Sequence, residues 1–535
     1  MARKKPTPRP KDTAPSEAQN PTAEPWATKA DAPWPSGLLR VLGAVSLVVL
    51  GLRLYAAQVV GFGDSEALYA SYALHPAATY LDHPGLVGLC MRALAQGQGA
   101  PSPRTVHIAT SLAMAAFPWL AVWTARIVGA SPPRALGLGI ALALAPETCV
   151  GLFALTPDTL LGPLWLLCVA ALGHAFAKPD TDGGRVAFVA AGLCAGLACA
   201  AKATGGLLLV SVLVTFAQTP ARRHLRTVYP WLGLCVALGP LVPMVQSELA
   251  RGAPMLMHRF VHTQHDAGLS LRNLLAVTFG QLLYASPLLA LYLGGACLAA
   301  LRARVPANAT TALLRNTTLI PLGALLPFSL WSRVAEPHWL APPLLCAALW
   351  LARESRLSNL EARFGRASFY LAGAMSALAY AWVLIPASAQ LRPRNTQAQL
   401  DIASELFGWP RAAAHVGARV GALTLPGASL RDVVVVGPHW TVCAQLHAAL
   451  GPDVPVGCLT PIGDDFDGWL PRQQWQRASA IIYVTDNRFG PAKEEAFAAH
   501  AIAHTEAVSI ERGGRTIRTF EISTLLRRAR ADRDP

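Results

Sequence analysis

Apolar stretches of about 20 residues recur along this chain with only short polar breaks, and this recurrence constrains its fold more than any other feature. A helix needs about 20 largely apolar residues to cross the hydrocarbon core of a bilayer. The charged fraction is 14%, far below the roughly 25% of an ordinary soluble domain. The sequence therefore predicts a polytopic α-helical membrane protein.

We predict about eleven transmembrane helices from the length of these stretches. They cover approximately residues 38–60, 106–128, 135–153, 158–177, 186–201, 204–218, 228–248, 275–300, 311–331, 339–352 and 368–388. The first stretch is too long for a typical signal peptide and has no convincing cleavage site, so an uncleaved anchor is favoured over a cleaved signal.

Lys and Arg concentrate in the N-terminal tail and in alternate loops, all on one side if eleven helices are threaded. The positive-inside rule makes that side the cytoplasm. The net charge of +14 therefore indicates topology, and no nucleic-acid partner is predicted. We expect a multi-pass protein of a bacterial cytoplasmic (inner) membrane with a cytoplasmic N-terminus. The outward-facing segments are 61–105, 147–157, 202–203, 249–274, 332–338 and everything after the last helix.

Three regions follow from composition. Residues 1–35 are rich in Pro, Lys, Thr and Ala and predict a disordered cytoplasmic tail, and 36–390 form the membrane domain. After a linker at 386–395, residues 395–535 predict an extracytoplasmic α/β domain. It has strands at 432–437 and 478–485, helices at 440–450 and about 491–503, and two further strands that flank a hairpin turn at Gly513-Gly514. Cys443 and Cys458 lie in this domain, where either a disulfide or two free thiols is compatible with the spacing.

The first outward loop carries the most notable acidic residues. Asp64 and Glu66 in GDSEALYASY lie at the mouth of the first span, where a partly dehydrated carboxylate can accept a proton from a hydroxyl nucleophile. A helix-capping Asp with a solvated Glu is the structural alternative. In the following YLDHPGLVGL, Asp82 and His83 suit substrate positioning better than a metal site, because two ligands are too few to hold a metal.

Two further outward segments carry charge. Asp158, in LTPDTLLGPLW, either belongs to a helix N-terminus or joins Asp64 in the chemistry. Lys202 interrupts an apolar double segment, and an ammonium there is costly unless it is paired, snorkels or binds a ligand. An anionic lipid phosphate is its most natural ligand.

The last two outward loops add candidate substrate-binding residues. Arg259 lies among His, Met and Phe residues in a basic, amphipathic segment that suits a polyprenyl-phosphate headgroup or nonspecific anionic lipid. Glu336 and His338 precede the tenth predicted helix on the same face, beside Trp339, which suits an interfacial belt.

The order of these motifs resembles a known family. GDSEALYASYALHPAATYLDHPGL is similar to the first external loop of bacterial family 39 glycosyltransferases, the dolichyl-phosphate-mannose-protein mannosyltransferase-like proteins, and of lipid A aminoarabinose transferases, all of the GT-C class. The likeness continues through LTPDTLLGPLW, GLACAAKATGGLL, GQLLYASPLL and EPHWLAPPLL, and covers most of residues 36–350. Two departures stand out: Ser65 separates an acidic pair that is usually adjacent, and Gly85 replaces a usual proline.

The resemblance implies a GT-C-like membrane catalytic domain that transfers a sugar from a polyprenyl-phosphate donor to an extracytoplasmic glycolipid, glycan or protein acceptor. It implies no cofactor beyond the lipid-linked donor, and no metal site is predicted. A carboxylate, Asp64 by preference and Glu66 second, would take the acceptor proton, with Asp158 orienting the acceptor or sharing that role. Lys202 and Arg259 would stabilise the departing phosphate, and the single displacement would invert the sugar.

Two other functions remain open at this point. A lipid or solute transporter also has many spans and intramembrane charges, although here the notable acids lie at span ends on one side. A catalytically inactive GT-C relative acting as an assembly platform is suggested by the interrupted acidic pair.

Overall fold

A computed structural model describes residues 33–218, 220–303, 308–353, 358–392, 401–424, 432–491 and 493–528. The membrane part is helical. Its helices are α1 Ser36–Val59, α2 Asp64–Tyr72, α3 Leu86–Leu94, α4 Pro103–Ala115, α5 Phe117–Ile127, α6 Pro132–Leu144, α7 Pro146–Cys149, α8 Pro157–Ala177, α9 Asp182–Ala201, α10 Gly205–Gln218, α11 Tyr229–Ala250, α12 Pro254–Met257, α13 Leu271–Tyr284, α14 Pro287–Arg302, α15 Ala309–Trp331, α16 Ala341–Arg353, α17 Ser358–Leu384 and α18 Ser388–Leu391.

Seven described helices are long and apolar enough to cross a membrane, or eight if the bent pair Pro132–Leu144 and Pro146–Phe153 is one span. Shorter apolar helices follow at Gly205–Gln218 and Pro287–Arg302. The multi-pass architecture is therefore confirmed, whereas the count of eleven stays a prediction. Residues 1–32 and 393–400, which include most of the predicted tail and part of the predicted linker, lie outside the described residues.

The C-terminal region is an α/β domain, as predicted. Its elements are α19 Ile402–Leu406, α20 Trp409–Leu423, β1 Val433–Gly437, α21 Trp440–Leu450, β2 Val456–Cys458, α22 Asp465–Trp469, α23 Arg472–Trp475, β3 Ala480–Asp486, β4 His500–Arg512 and β5 Arg515–Arg527. The strand order is β2-β1-β3-β5-β4, with β1 parallel to β2 and β3, and β5 antiparallel to β3 and β4. Cys443 and Cys458 are buried free thiols in this domain.

One predicted element is wrong. The sequence predicts a helix at about 491–503, but the described residues of this stretch form the short 3-10 turn Glu494–Phe497 and then enter β4. Pairing of β4 with β5 across the Gly513-Gly514 turn overrides the local preference, because ladder hydrogen bonds and burial outweigh a weak helix propensity.

The first outward loop packs into the same hydrophobic core as the C-terminal sheet. Tyr72 of α2 and Val87 of α3 are fully buried in a cluster that also holds Val435 of β1 and Leu446 of α21. The other face of the sheet packs on Trp475. The shared core holds the C-terminal domain over the outward loops of the membrane part, where the predicted site residues lie.

Candidate active site

Asp64 is held in an ion pair with the C-terminal domain. It is 7% exposed at the start of α2, and its Oδ2 pairs with the Arg488 guanidinium. Its Oδ1 accepts a hydrogen bond from Gln445 Nε2 at 3.2 Å. Arg488 also binds Asp486, with 2.9 Å between Nη2 and Oδ2. The carboxylate proposed first as the base is therefore engaged at the domain interface.

Glu66 is also engaged in the protein interior. It is 2% exposed, and its Oε2 lies 2.9 Å from His107 Nε2 on α4. Its Oε1 accepts the Leu155 backbone N–H at 2.8 Å, immediately before α8. Glu66 thus connects α2 by hydrogen bonds to α4 and to the segment before α8.

Asp158 and Lys202 form a tight ion pair. The Lys202 Nζ donates to both carboxylate oxygens of Asp158 at 2.8 Å, and His338 Nε2 lies 3.6 Å from Oδ2. Asp158 is placed by α8, whose N-cap Thr156 accepts the Thr159 N–H in a capping box. Lys202 follows the last residue of α9. Thr156 therefore caps the helix, and the Asp158 carboxylate in the first turn pairs with Lys202.

Asp82 organises a second group of charges from the fourth outward loop. Its Oδ1 lies 3.6 Å from Arg259 Nη2 and 3.7 Å from His258 Nε2. His83 packs edge-on against Tyr69, with ring centroids 5.6 Å apart. Glu336 is exposed at the N-cap of the turn Pro337–Leu340, which places His338 beside Asp158.

A cavity of about 360 Å³ lies between these groups and the C-terminal domain. Lys202, Asp82, His83 and Arg259 line it from the membrane part, and Trp440 lines it from the C-terminal domain. Asp64 and Glu66 do not line it. The structure therefore brings most of the predicted substrate-binding residues to one cavity and places the two acids of α2 in ion pairs elsewhere.

A second, mainly apolar cavity of about 470 Å³ lies within the membrane part. Asp158 and Glu147 line it, as do Leu289 and Leu345 from α14 and α16. Because Lys202 lines the first cavity and its partner Asp158 lines the second, the ion pair stands between the two.

The imidazoles beside the site are neutral near pH 7. Burial lowers the pKa of His83 well below its usual range, and the nearby Arg259 and Lys202 charges lower it further. Burial and Lys202 lower the pKa of His338 to about 4, against the opposing effect of Asp158. Lys202 and Arg259 are therefore the cations that line the cavity at neutral pH.

Several residues at the cavities were not candidates from sequence. They are Glu147, His439, Trp440, Asp464 and Asp465. Glu147 begins a predicted outward loop, which is the one signal that pointed to it. The other four lie more than 200 residues beyond the Lys202 motif, and only tertiary packing brings them to the site. Among the described residues no group of three or more His, Cys, Asp or Glu is placed to hold a metal ion.

Comparison with known proteins agrees with the resemblance seen in the sequence. Residues 82–246 match the family model described as dolichyl-phosphate-mannose-protein mannosyltransferase. The structure is similar to ArnT from Cupriavidus metallidurans bound to undecaprenyl phosphate, with a TM-score of 0.57 and 17% identity over 91% of this chain and 98% of that one.

It is also similar to the arabinofuranosyltransferase AftD from Mycobacteria, with a TM-score of 0.51 and 17% identity over 92% of this chain and 40% of that one. No curated protein matches the sequence.

Fold and site together define the class: a multi-pass membrane protein with the GT-C fold and a C-terminal α/β domain. The resemblance to the mannosyltransferase family is confirmed over residues 82–246, the segment that contains Asp82, His83, Asp158 and Lys202. At 17% identity, the matches to solved structures show the fold.

Proposed function

We propose that this protein is a membrane glycosyltransferase that moves a sugar from a polyprenyl-phosphate donor to an acceptor on the extracytoplasmic face of a bacterial inner membrane. The observation that carries the proposal is the position of the Lys202–Asp158 pair between two cavities. One is the apolar cavity, and the other is the cavity lined by Lys202, Arg259, Asp464 and Asp465, which we call the polar cavity after these charged groups. A lipid-linked sugar has the same sequence of parts: an apolar chain, a phosphate and a hydroxyl-rich ring.

The donor phosphate is assigned to the two cations of the polar cavity. Lys202 and Arg259 both line it, and an ammonium and a guanidinium are the side chains best suited to bind phosphate oxygens. The polyprenyl chain is assigned to the apolar cavity, whose lining includes Leu289 and Leu345. Charge that develops on the departing phosphate is then met by positive groups already in place.

Asp158 is assigned the role of general base because its partner Lys202 lines the polar cavity, whereas Asp64 and Glu66 are bound to Arg488 and His107, which do not line it. An incoming phosphate competes with Asp158 for Lys202 and frees its carboxylate. Asp158 then takes the acceptor hydroxyl proton while the acceptor oxygen bonds to the anomeric carbon. The bond from that carbon to the phosphate oxygen breaks, and its electron pair leaves with polyprenyl phosphate. The configuration at the anomeric carbon is thereby inverted.

A second candidate is favoured by one observation: both acids of α2 are held by other side chains, Asp64 in an ion pair with Arg488 and Glu66 in a hydrogen bond with His107. In this alternative the chain transfers no sugar and serves as a GT-C-fold assembly platform, with residues 395–535 as the part that binds a partner.

Mass spectrometry of cell-envelope glycans, with and without the protein, tests the proposal. We expect one glycan to lose a sugar when the chain is absent, and expect Lys202→Ala and Asp158→Asn to cause the same loss. Lys178→Ala alters an exposed lysine outside the site and is the matched control. Removing one such charge typically slows catalysis by about 100-fold to 1,000-fold.

Two outcomes would contradict the proposed site. Unchanged glycans in cells that lack the chain, together with stable partner capture by residues 395–535, would support the platform. A full loss of product in Asp64→Asn, with Asp158→Asn fully active, would show that Asp64 and not Asp158 is the general base.

A further inference from the structure

The two walls of the polar cavity differ in chemistry. The membrane part supplies Lys202 and Arg259, with Asp82 3.6 Å from Arg259, whereas the C-terminal domain supplies Trp440 together with Asp464 and Asp465. The cationic wall is suited to phosphate. The opposite wall combines hydrogen-bond acceptors with an aromatic ring, and therefore suits a different part of the substrate.

The acidic part of this wall is held rigidly. Asp465 Oδ2 accepts a hydrogen bond from the Tyr72 hydroxyl at 3.1 Å, and its Oδ1 accepts the Leu81 N–H at 3.1 Å. Asp464 Oδ1 accepts the Phe466 N–H at 3.0 Å and caps α22. Because the first outward loop and α22 bind each other at Asp465, these carboxylates keep a fixed distance from the phosphate-binding side chains of the membrane part.

The aromatic part is held by α21. Trp440 is its first residue and is half-buried, and its ring lies 5.5 Å from that of His439. His439 in turn stacks on Phe489 at 5.1 Å and caps the helix by accepting the Thr441 N–H. Trp339 lines the cavity from the membrane part. A sugar ring can stack one face on the Trp440 ring while the hydroxyl groups at its edge donate hydrogen bonds to the two carboxylates.

We propose that Trp440, Asp464 and Asp465 form a sugar subsite that accepts a neutral or amino-bearing glycosyl group and rejects a uronic acid. Hydroxyl and ammonium groups donate to the carboxylate oxygens. Burial raises the pKa of Asp464 and raises that of Asp465 to about 7, so a carboxylate on the sugar is repelled most strongly above that pH, where both groups are ionised. The inference rests on the proposed function, because it places the sugar beside the phosphate bound by Lys202. It makes the C-terminal domain a determinant of substrate choice.

Saturation-transfer NMR on the purified full-length chain in detergent tests the subsite. The probes are methyl mannoside, methyl glucosaminide and methyl glucuronide. We expect signal from the first two and little from the glucuronide. Trp440→Ala should lower the signal, while Trp440→Phe keeps part of it. Asp464→Asn retains the helix cap, since Asn caps well. It should reduce the difference in saturation-transfer signal between the mannoside and the glucuronide roughly tenfold. Asp453→Asn, on the exposed surface of the same domain, is the control.

Binding of undecaprenyl phosphate separates the two proposals. We expect Asp464→Asn to bind it normally and Lys202→Ala to bind it weakly. If glycosides bind nowhere, or bind Trp440→Ala and Asp464→Asn as they bind the unaltered chain, while the lipid binds normally, the sugar subsite is refuted and the proposed function stands. Failure of the unaltered chain to bind the lipid counts against the proposed function.

One more comparison shows whether the subsite binds the sugar of the donor or that of the acceptor. If Trp440→Ala weakens binding of mannosyl-phosphoundecaprenol but not of undecaprenyl phosphate, the subsite holds the donor sugar. If it weakens neither lipid but abolishes the glycoside signal, the subsite holds the acceptor sugar.

Discussion

Glu405 is a buried acid whose protonation links stability to pH. It lies beside Gly63, among the charges of Asp64, Glu66, Arg488 and Arg518. Burial raises its pKa from 4.5 to about 7, with Asp64 raising it further and the two arginines opposing. The folded protein therefore keeps a proton that the unfolded chain loses at lower pH. The contribution of this group to stability is full below pH 4.5 and falls as the pH rises to about 7.

Glu405→Gln cannot lose that proton, so we expect it to gain stability over the unaltered protein as the pH rises. The gain should reach about 1–3 kcal/mol above pH 7, from a shift of roughly two pKa units in a partly screened site. Melting temperatures in detergent at pH 5 and pH 8 measure it. A difference that is the same at both pH values would contradict the prediction. Glu495→Gln, on the same domain, serves as control.

Residue types were easier to predict from sequence than residue partners. Lys202 is recognisable because an ammonium inside an apolar stretch must be paired, and Asp158 because it sits on the same outward face. Asp64 shows the limit. Its partner Arg488 lies 424 positions away, so nothing near α2 reveals that the carboxylate is already neutralised. Charge and burial can be predicted locally, but the choice between catalysis and structure depends on long-range packing.

The contact between α2 and the segment after β3 depends on one ion-paired cluster. Arg488 binds both Asp64 and Asp486, and its side chain is 8% exposed. Arg488→Met should destabilise the protein by about 3–5 kcal/mol, because it leaves the buried Asp64 carboxylate without its counter-charge and leaves Asp486 with Arg518 at 3.6 Å. Asp64→Asn in the same chain should restore part of that loss. Limited proteolysis and melting temperature report it, with exposed Arg411→Met as control. Additive losses in the double variant would show that the two residues do not interact.

The β4–β5 turn offers a matched pair of glycines. Both have positive φ, +57° at Gly513 and +76° at Gly514. A Cβ on Gly513 would lie 2.3 Å from the Pro386 carbonyl oxygen, whereas one on Gly514 meets nothing within 4 Å. We expect Gly514→Ala to cost about 1 kcal/mol from backbone strain alone, and Gly513→Ala to cost clearly more. Equal melting temperatures for the two variants would show that the turn does not pack on the end of α17.

Elements with a strong local signal were predicted well, and the one that failed lacked such a signal. The Val run of β1 and the Gly513-Gly514 turn are recognisable in isolation. The strand before this turn is predicted correctly, but its start is not, because the first residues of β4, from His500, are mostly exposed Ala and polar residues that were assigned to a helix. Pairing with β5 determines where β4 begins, and that pairing cannot be predicted from the local sequence.

At the scale of the whole molecule, the position of the C-terminal domain fixes where the chemistry takes place. That domain shares a core with the first outward loop and lines the polar cavity, so site and domain must face the same side of the membrane. The basic residues Lys178 and Arg185 lie between α8 and α9 or at the start of α9, at the opposite ends of the helices that carry Asp158 and Lys202. The positive-inside rule then predicts that the site lies outside the cytoplasm.

Single cysteines test this orientation. Asp453 is exposed on the C-terminal domain, and the Asp182 side chain is 96% exposed at the start of α9. In a chain with the exposed Cys235 replaced by Ser, we expect Asp453→Cys to react with a membrane-impermeant maleimide in intact spheroplasts. Asp182→Cys should react only after the membrane is permeabilised, because the reagent must reach the cytoplasmic face. The reverse labelling pattern would show that the cavity opens to the cytoplasm. A lipid-linked donor in the outer leaflet could then not reach Lys202, and the proposed transfer on the extracytoplasmic face would be refuted.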